Sequence, residues 1–359
     1  MAWFGWKSGR DGARPALARA AGVAAPIGVW PQGYEAQVRA GYCANAVAQR
    51  AVRLVAEAVG GAPLDASDPA LGALAGAPGL LEAVAAQTLL HGNAFIQILR
   101  DAGGAVAALF PLRPERVTAE LGADGWPAAY LYRVGVRATR LDPTAVIHVR
   151  RFNPVDDHYG LGCLGAASGA IAIHNAASSW SKALLDNAAR PSGALVYDAG
   201  DGSVLSPDQF RRLREEMEQG FAGAANAGRP MLLEGGLKWQ AMSLTPADMD
   251  FAGTKAAAAR EIALAFGVPP MLLGLPGDST HANYREANRA LWRLTVLPLA
   301  GAILTGVRDG LAPWFADATL EVDLDRVPAL VEDRERLWRM VAAADFLSRD
   351  EKRQMVDWS

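Results

Sequence analysis

Apolar positions recur at helical intervals from Tyr34 to Val59, with Val38, Tyr42, Val52 and Val55 on one face, and the spacing predicts a helix there. A short helix follows over residues 78–91. The stretch NAFIQILRDAGGAVAALFPL then alternates on either side of Asp101-Ala-Gly-Gly, which predicts a hairpin. WPAAYLYRVGV and AVIHVRRF add strands, so the first 160 residues read as one α+β domain. Residues 1–30 are small, basic and rich in Gly, Ala and Pro, and are expected to form a flexible arm.

Beyond residue 160 the pattern changes. LGCLGAASGAIAIHNAASSWSKALLDNAARPSG predicts a long helix of small residues ended by Pro191, spanning roughly 40 Å at about 1.5 Å per residue. Small side chains allow close helix approach, within a monomer or against further copies, and the sequence leaves both open. GALVYD is strand-like. Ser206-Pro-Asp-Gln209 is a capping box with proline in the first helical position, opening PDQFRRLREEMEQ. RPMLLEGGLKWQAMSL predicts a hairpin turning at Glu234-Gly-Gly. These pieces make a small insert bounded by a long helix on each side.

The second bounding helix is expected to start at the capping signature Thr245-Pro-Ala-Asp248 and to end at Gly267, where Pro269-Pro270 forbid continuation. A polar loop follows. Asn283, with Glu286 three residues on, is expected to cap a third long helix running to about Gly310 and kinked at Pro298. The strand TLEVDLD and helices over 328–356 close the sequence.

The 359 residues are 51% hydrophobic and 20% charged, the composition of a globular chain. The formal net charge of −3 lacks the basic excess of a protein that grips nucleic acid through many phosphates. Across 246–312 six basic residues (Lys255, Arg260, Arg285, Arg289, Arg293, Arg308) meet six acidic ones. A DNA clamp is not neutral, because each neutralised phosphate adds affinity, whereas a conduit for moving DNA must not hold it. Cys43 and Cys163 form neither a disulfide framework nor a zinc motif. No secretion signal is visible, and the uncharged run Tyr159–Ser181 is too polar to span a bilayer, so a soluble protein is expected.

Candidate chemistry is sparse. Gly160, Gly162 and Gly165 match G-x-G-x-x-G, but NPVDDHY separates them from the preceding strand, and the tight phosphate-binding turn is missing. Asp278, Ser279 and His281 crowd one loop, yet neighbours in sequence do not make a triad. His148, His158, Asp156 and Asp157 lack metal-ligand spacing, and no P-loop occurs. No cofactor or metal is expected. Arg285, Arg289 and Arg293 share one helical face, which reads either as a salt-bridged surface or as a stripe meeting an acidic neighbour or a phosphate backbone.

In order, NAARPSGAL, LSPDQFRRLREEMEQGFAGAANAGRPMLLEGGLKWQAMSLTPADMDF, REIALAFGVPPMLLG and T-x-x-N-Y-R-E-A-N-R resemble the HK97-type tailed-phage portal proteins, a group that includes portals of prophages and gene transfer agents. The resemblance covers about residues 30–340. It implies a ring-forming α+β portal fold: an arm (1–30), an α+β wing (31–162), a stem helix (163–190), a small α/β clip (191–243), a second stem helix (244–270), a tunnel loop (271–283), a long channel or wing helix (284–312) and a C-terminal wing segment (313–359). It further implies a non-enzymatic dodecamer at one capsid vertex of the virion, assembled in the host cytoplasm. Double-stranded DNA would pass non-specifically through the channel, and the large terminase, the head–tail adaptor and the major capsid protein would be partners, with no membrane. Asp278, Ser279, Thr280, His281, Asn283, Arg285 and Arg289 would face the channel, and Arg211, Arg212, Arg214, Glu215 and Glu218 of the clip would dock partners. Two alternatives stand beside this: a hydrolase using the 278–281 loop, or another head–tail connector component.

Overall fold

The computed structural model describes residues 33–186, 193–197, 205–221, 237–241, 250–275 and 281–356. The chain divides into two compact units, residues 1–168 with 262–359, and residues 169–261.

In the first unit the opening helix is interrupted. α1 (Tyr34–Val38) passes into a π-helical turn at Arg39–Cys43, and α2 (Ala46–Gly60) restarts behind Asn45, whose side chain accepts the Ala48 N–H. The continuous helix expected from periodicity is therefore two pieces, because a buried capping asparagine offers the backbone a competing partner. β1 (Leu64–Ala66) and α3 (Pro69–Ala75), capped by Asp68, follow without having been expected. α4 (Leu80–His91) ends at Gly92, whose φ of 83° is the left-handed C-terminal cap.

β2 (Asn93–Arg100) and β3 (Val106–Leu112) form the expected hairpin, with Asp101 Oδ1 accepting from Gly103 and Ala105 N–H in the turn. β4 (Val117–Leu121), β5 (Pro127–Val134) and β6 (Arg137–Leu141) make a second antiparallel sheet, and β7 (Val146–Arg150) joins the first in the order β3-β2-β7. Phe95, Leu112, Val117, Ala119, Tyr130, Leu141 and Val146 pack the two sheets together, with Phe95 and Tyr130 edge to face at 5.6 Å.

α5 (Cys163–Asp186) begins in the first unit and continues in the second. The second unit holds β8 (Gly193–Tyr197) paired antiparallel with β9 (Leu237–Ala241), the helix α6 (Pro207–Phe221), and α7 (Phe251–Ala265) up to Glu261. The partner of β9 is thus β8; the hairpin expected around Glu234 falls on 229–236, outside the described residues. Trp180 of α5 stacks on Phe251 of α7 with ring centres 3.9 Å apart. The capping signature expected at Thr245–Asp248 lies outside the described residues, and α7 as described opens behind Asp250. Asp250, at φ 39°, caps it by accepting the Gly253 N–H, and a Cβ at Gly253 would stand 2.1 Å from that carboxylate. An aspartate able to adopt positive φ, followed by a glycine, makes a sufficient start there.

The chain re-enters the first unit at Ile262 within α7, and α8 (His281–Leu291), a π segment at Trp292–Val296 and α9 (Leu297–Leu311) follow. Pro298 lies in the first turn of α9, so the irregular turn in front of it absorbs the missing hydrogen bond. The run from Ala282 to Leu311 is long and apolar enough to cross a bilayer. Its Leu299, Ile303, Leu304, Val307 and Leu311 are nevertheless buried in the core with α2, α4 and β7. Gly306 and Gly310 let α9 lie on β7: added Cβ atoms would stand 3.0 Å from Val149 and 2.5 Å from Ile147. β10 (Leu320–Val322) pairs with β1, and α10 (Val331–Ala342) and α11 (Arg349–Met355), opened by a full capping box at Ser348, end the fold.

Candidate channel and docking surfaces

The joint between α7 and α8 is built from backbone rules. Ala263 and Leu264 carbonyls accept from Val268 and Gly267 N–H, a Schellman pair requiring the left-handed φ of 66° at Gly267. Pro270–Leu273 then make a 3₁₀ turn closed by Gly274 at φ 72°. The Gly267 carbonyl accepts a 2.6 Å bond from Thr295 Oγ1, and a Cβ at Gly267 would meet that hydroxyl at 2.7 Å. The end of α7 is thereby clipped to the π segment of the long helix.

Of the channel residues expected from sequence, Asp278, Ser279 and Thr280 lie outside the described residues. The backbone of His281 is already helical, so Asn283 sits in the first turn of α8 and is not its cap. Within the span 271–283 expected as a tunnel loop, residues 271–273 belong to a 3₁₀ turn and 281–283 to α8, and 276–280 lie outside the described residues. His281 and Asn283 remain adjacent to residues 276–280, and Asn283 is exposed.

The arginine stripe finds its acidic neighbour within the same chain. Arg285 donates to Glu332 at 2.9 Å; Arg289 reaches Glu286 at 2.8 Å and Glu332 at 2.9 Å, with Asp333 at 3.2 Å; Arg293 meets Asp333 at 2.6 Å. Three guanidinium groups one helical turn apart are therefore laced to the first turn of α10. Arg289 lies at the centre with its side chain only 19% exposed, while Arg285 and Arg293 stay more than half exposed.

In the second unit, Ser206 and Gln209 form the reciprocal capping box that the sequence predicts, at 2.9 and 3.3 Å. Arg211 pairs with Asp208 one turn away; Arg212, Arg214 and Glu215 are exposed, as is Phe210. The Glu218 side chain lies outside the described residues. α6 thus offers a mixed-charge face with an aromatic side chain among the charges.

The G-x-G-x-x-G run does something sequence reading missed. Asn93, at the first position of β2, donates through Nδ2 to the Gly160 carbonyl at 3.1 Å and accepts the Gly160 N–H at 2.7 Å, so its carboxamide pairs with that backbone as another strand would. His148 Nε2 lies 2.9 Å from the same Oδ1 and must be the protonated nitrogen, since the oxygen only accepts. Cβ atoms at Gly160 and Gly162 would stand 2.1 Å from the Gly92 carbonyl and 2.4 Å from the Leu90 carbonyl. The glycines permit backbones to cross; they cradle no phosphate. Burial among Phe95, Tyr130 and this node pushes the His148 pKa down to about 3, and burial also lowers that of His91. His148 is therefore a neutral structural base. Among the described residues no group of three metal-ligating side chains gathers.

The fold joins an α+β unit to a second, smaller unit through long helices with glycine-dependent ends. The Phage portal protein family matches residues 46–357, and the chain belongs to that family. Among relatives, an uncharacterised protein of Rickettsia bellii is 42% identical over 279 residues, covering 75% of this chain and 70% of its own length. A chain solved in the neck of a native gene transfer agent particle, computed with C12 symmetry, is 49% identical with a TM-score of 0.71, covering 92% of this chain and 95% of that one. An HK97-family phage portal protein of Corynebacterium diphtheriae shares the fold at 20% identity and a TM-score of 0.60, over 84% of this chain and all of its own. The protein is accordingly a portal protein with the α+β portal fold, as the sequence motifs implied.

Proposed function

We propose that this chain assembles into a dodecameric ring at one vertex of a tailed-phage or gene transfer agent particle, built in the host cytoplasm and retained in the virion. There it is the conduit through which double-stranded DNA enters and leaves. The reading is carried by 49% identity over 92% of the chain to a component of a gene transfer agent neck of C12 symmetry. Residues 278–281 and Asn283 face the DNA, whose passage a neutral, polar lining permits without trapping. Arg285 and Arg293 keep exposed surface for the duplex, whereas Arg289 is committed to α10. The exposed Arg212, Arg214 and Glu215 of α6, with Arg211 and Glu218, dock terminase during packaging and the head–tail adaptor afterwards, and the major capsid protein surrounds the ring. Electron microscopy and native mass measurement of the purified chain test the ring: closed rings of about twelve copies are expected. A stable monomer that hydrolyses esters or nucleic acid would return the reading to the 278–281 enzyme. Deleting 276–280 is expected to leave rings intact and to reduce DNA-filled particles; unchanged filling would remove the loop from the channel.

A further inference from the structure

The segment 151–162, between β7 and α5, is an inside-out loop. The Asn153 and Asp156 side chains fold back on its own backbone, and the His158 ring is buried. Asn153 Nδ2 donates to the Tyr159 carbonyl at 2.8 Å, and Asn153 Oδ1 accepts the Val155 N–H. Asp156 Oδ1 accepts the His158 and Tyr159 N–H groups at 2.7 and 3.0 Å. The Ala119 N–H donates to the Tyr159 hydroxyl at 2.8 Å, and Arg151 N–H donates to the Gly92 carbonyl at one end while Gly160 is held by Asn93 at the other. Its large apolar side chains point the other way. Phe152 is 85% exposed, and Val155 and Leu161 are more than half exposed. A loop held this firmly has little entropy left to lose on binding, and an apolar cluster offered by such a loop marks an interaction site.

The same unit carries an unfilled counterpart. Between α10 and α11 lies a groove of about 310 Å³ lined by Trp338, Val341, Ala342 and Val356, with Arg349, Lys352 and Arg353 at its rim. Arg349 and Arg353 are exposed and have no carboxylate partner among the described residues. Asp157 stands exposed beside the apolar side chains of the loop. Within one chain the two surfaces do not meet, since Phe152 is open to solvent. A head-to-tail contact needs two different, complementary patches on every copy, and such contacts make rings where the rotation between copies closes.

We propose that the 151–162 loop of one copy seats Phe152 in the α10–α11 groove of the next, with Asp157 facing Arg349 and Arg353; this rests on the ring reading above. Phe152→Asp is expected to raise at least tenfold the protein concentration at which half the chain is in rings, measured by analytical ultracentrifugation or native mass spectrometry. Because Phe152 touches little within its own chain, the thermal unfolding of the variant should match wild type. Asp157→Arg and Arg353→Asp should each weaken rings, and the double variant should recover them, because the swapped charges meet across neighbouring copies. Wild-type rings that form equally well with Phe152→Asp, or single charge variants that the double swap does not rescue, overturn the contact and leave the ring standing. A wild-type chain that never forms rings removes the ring reading itself.

Discussion

The node at Asn93 and the ladder at Arg289 both fasten distant segments of the first unit, by opposite means. At the node, buried backbone meets backbone through three glycines and one carboxamide, with no room for a methyl group and no exposed charge. At the ladder, three arginines and three carboxylates meet near solvent. The first kind of joint is stiff and intolerant, since an unpaired buried polar group costs about 1–3 kcal/mol and a backbone clash cannot relax by rotamer change. The second kind is adjustable, because exposed pairs contribute about 0.2–1 kcal/mol each and weaken as salt screens them.

The comparison can be broken at the node first. Gly160→Ala places its Cβ 2.1 Å from the Gly92 carbonyl and 2.7 Å from the Arg151 nitrogen, both backbone, so a loss of at least about 3 kcal/mol or failure to fold is expected in urea unfolding. A loss under about 1 kcal/mol would show that the crossing yields. Asn93→Ala should follow at about 2–4 kcal/mol, as it strands the Gly160 N–H and carbonyl and the His148 N–H.

Acid sharpens the same contrast. The folded pKa of His148 lies far below 6.5, at about 3, so between those values the unfolded chain takes up a proton that the folded chain refuses. Stability therefore falls as pH drops from 6.5 towards 3, by up to about 1.4 kcal/mol per pH unit for one proton. His148→Gln, which keeps a donor for Asn93 but cannot titrate, should flatten that limb in urea midpoints measured across the range. An unchanged slope would assign the acid sensitivity elsewhere.

At the ladder, Arg289→Glu should cost about 1–2 kcal/mol at low salt and progressively less at molar salt, read as the difference in thermal midpoints. A salt-independent loss would mean that its packing on α10, and not its charge, holds the segment. The smallest effect on stability is expected on α6, where Arg212→Glu should shift unfolding by no more than about 0.5 kcal/mol while weakening capture of the adaptor in a pull-down.

Much of this was legible in the sequence, for reasons that differ by element. The β2–β3 hairpin and the α6 cap announced themselves because Asp101-Ala-Gly-Gly and Ser206-Pro-Asp-Gln209 act locally, through atoms a few residues apart. β10 was legible within TLEVDLD, whereas β1 was invisible because it is three residues long and finds its partner over 250 residues away. The stripe Arg285, Arg289 and Arg293 was read correctly as a face, but its partner was not, since nothing in the local pattern ties it to Glu332 and Asp333. Gly160 and Gly162 drew attention as a phosphate motif, whereas the signal that mattered was Gly92-Asn93 at a helix end. Gly306-x-x-x-Gly310 was a further readable sign, the spacing that lets a helix lie flat on a strand.

The π segment Trp292–Val296 acts as an index mark on a shaft. One extra residue in a helical turn advances everything beyond it by about 100°. The arginine half and the glycine half of the same shaft are thereby aimed independently, one at α10 and the other at β7. Removing a single residue there would restore a regular helix and leave each half the right sequence pointed in the wrong direction.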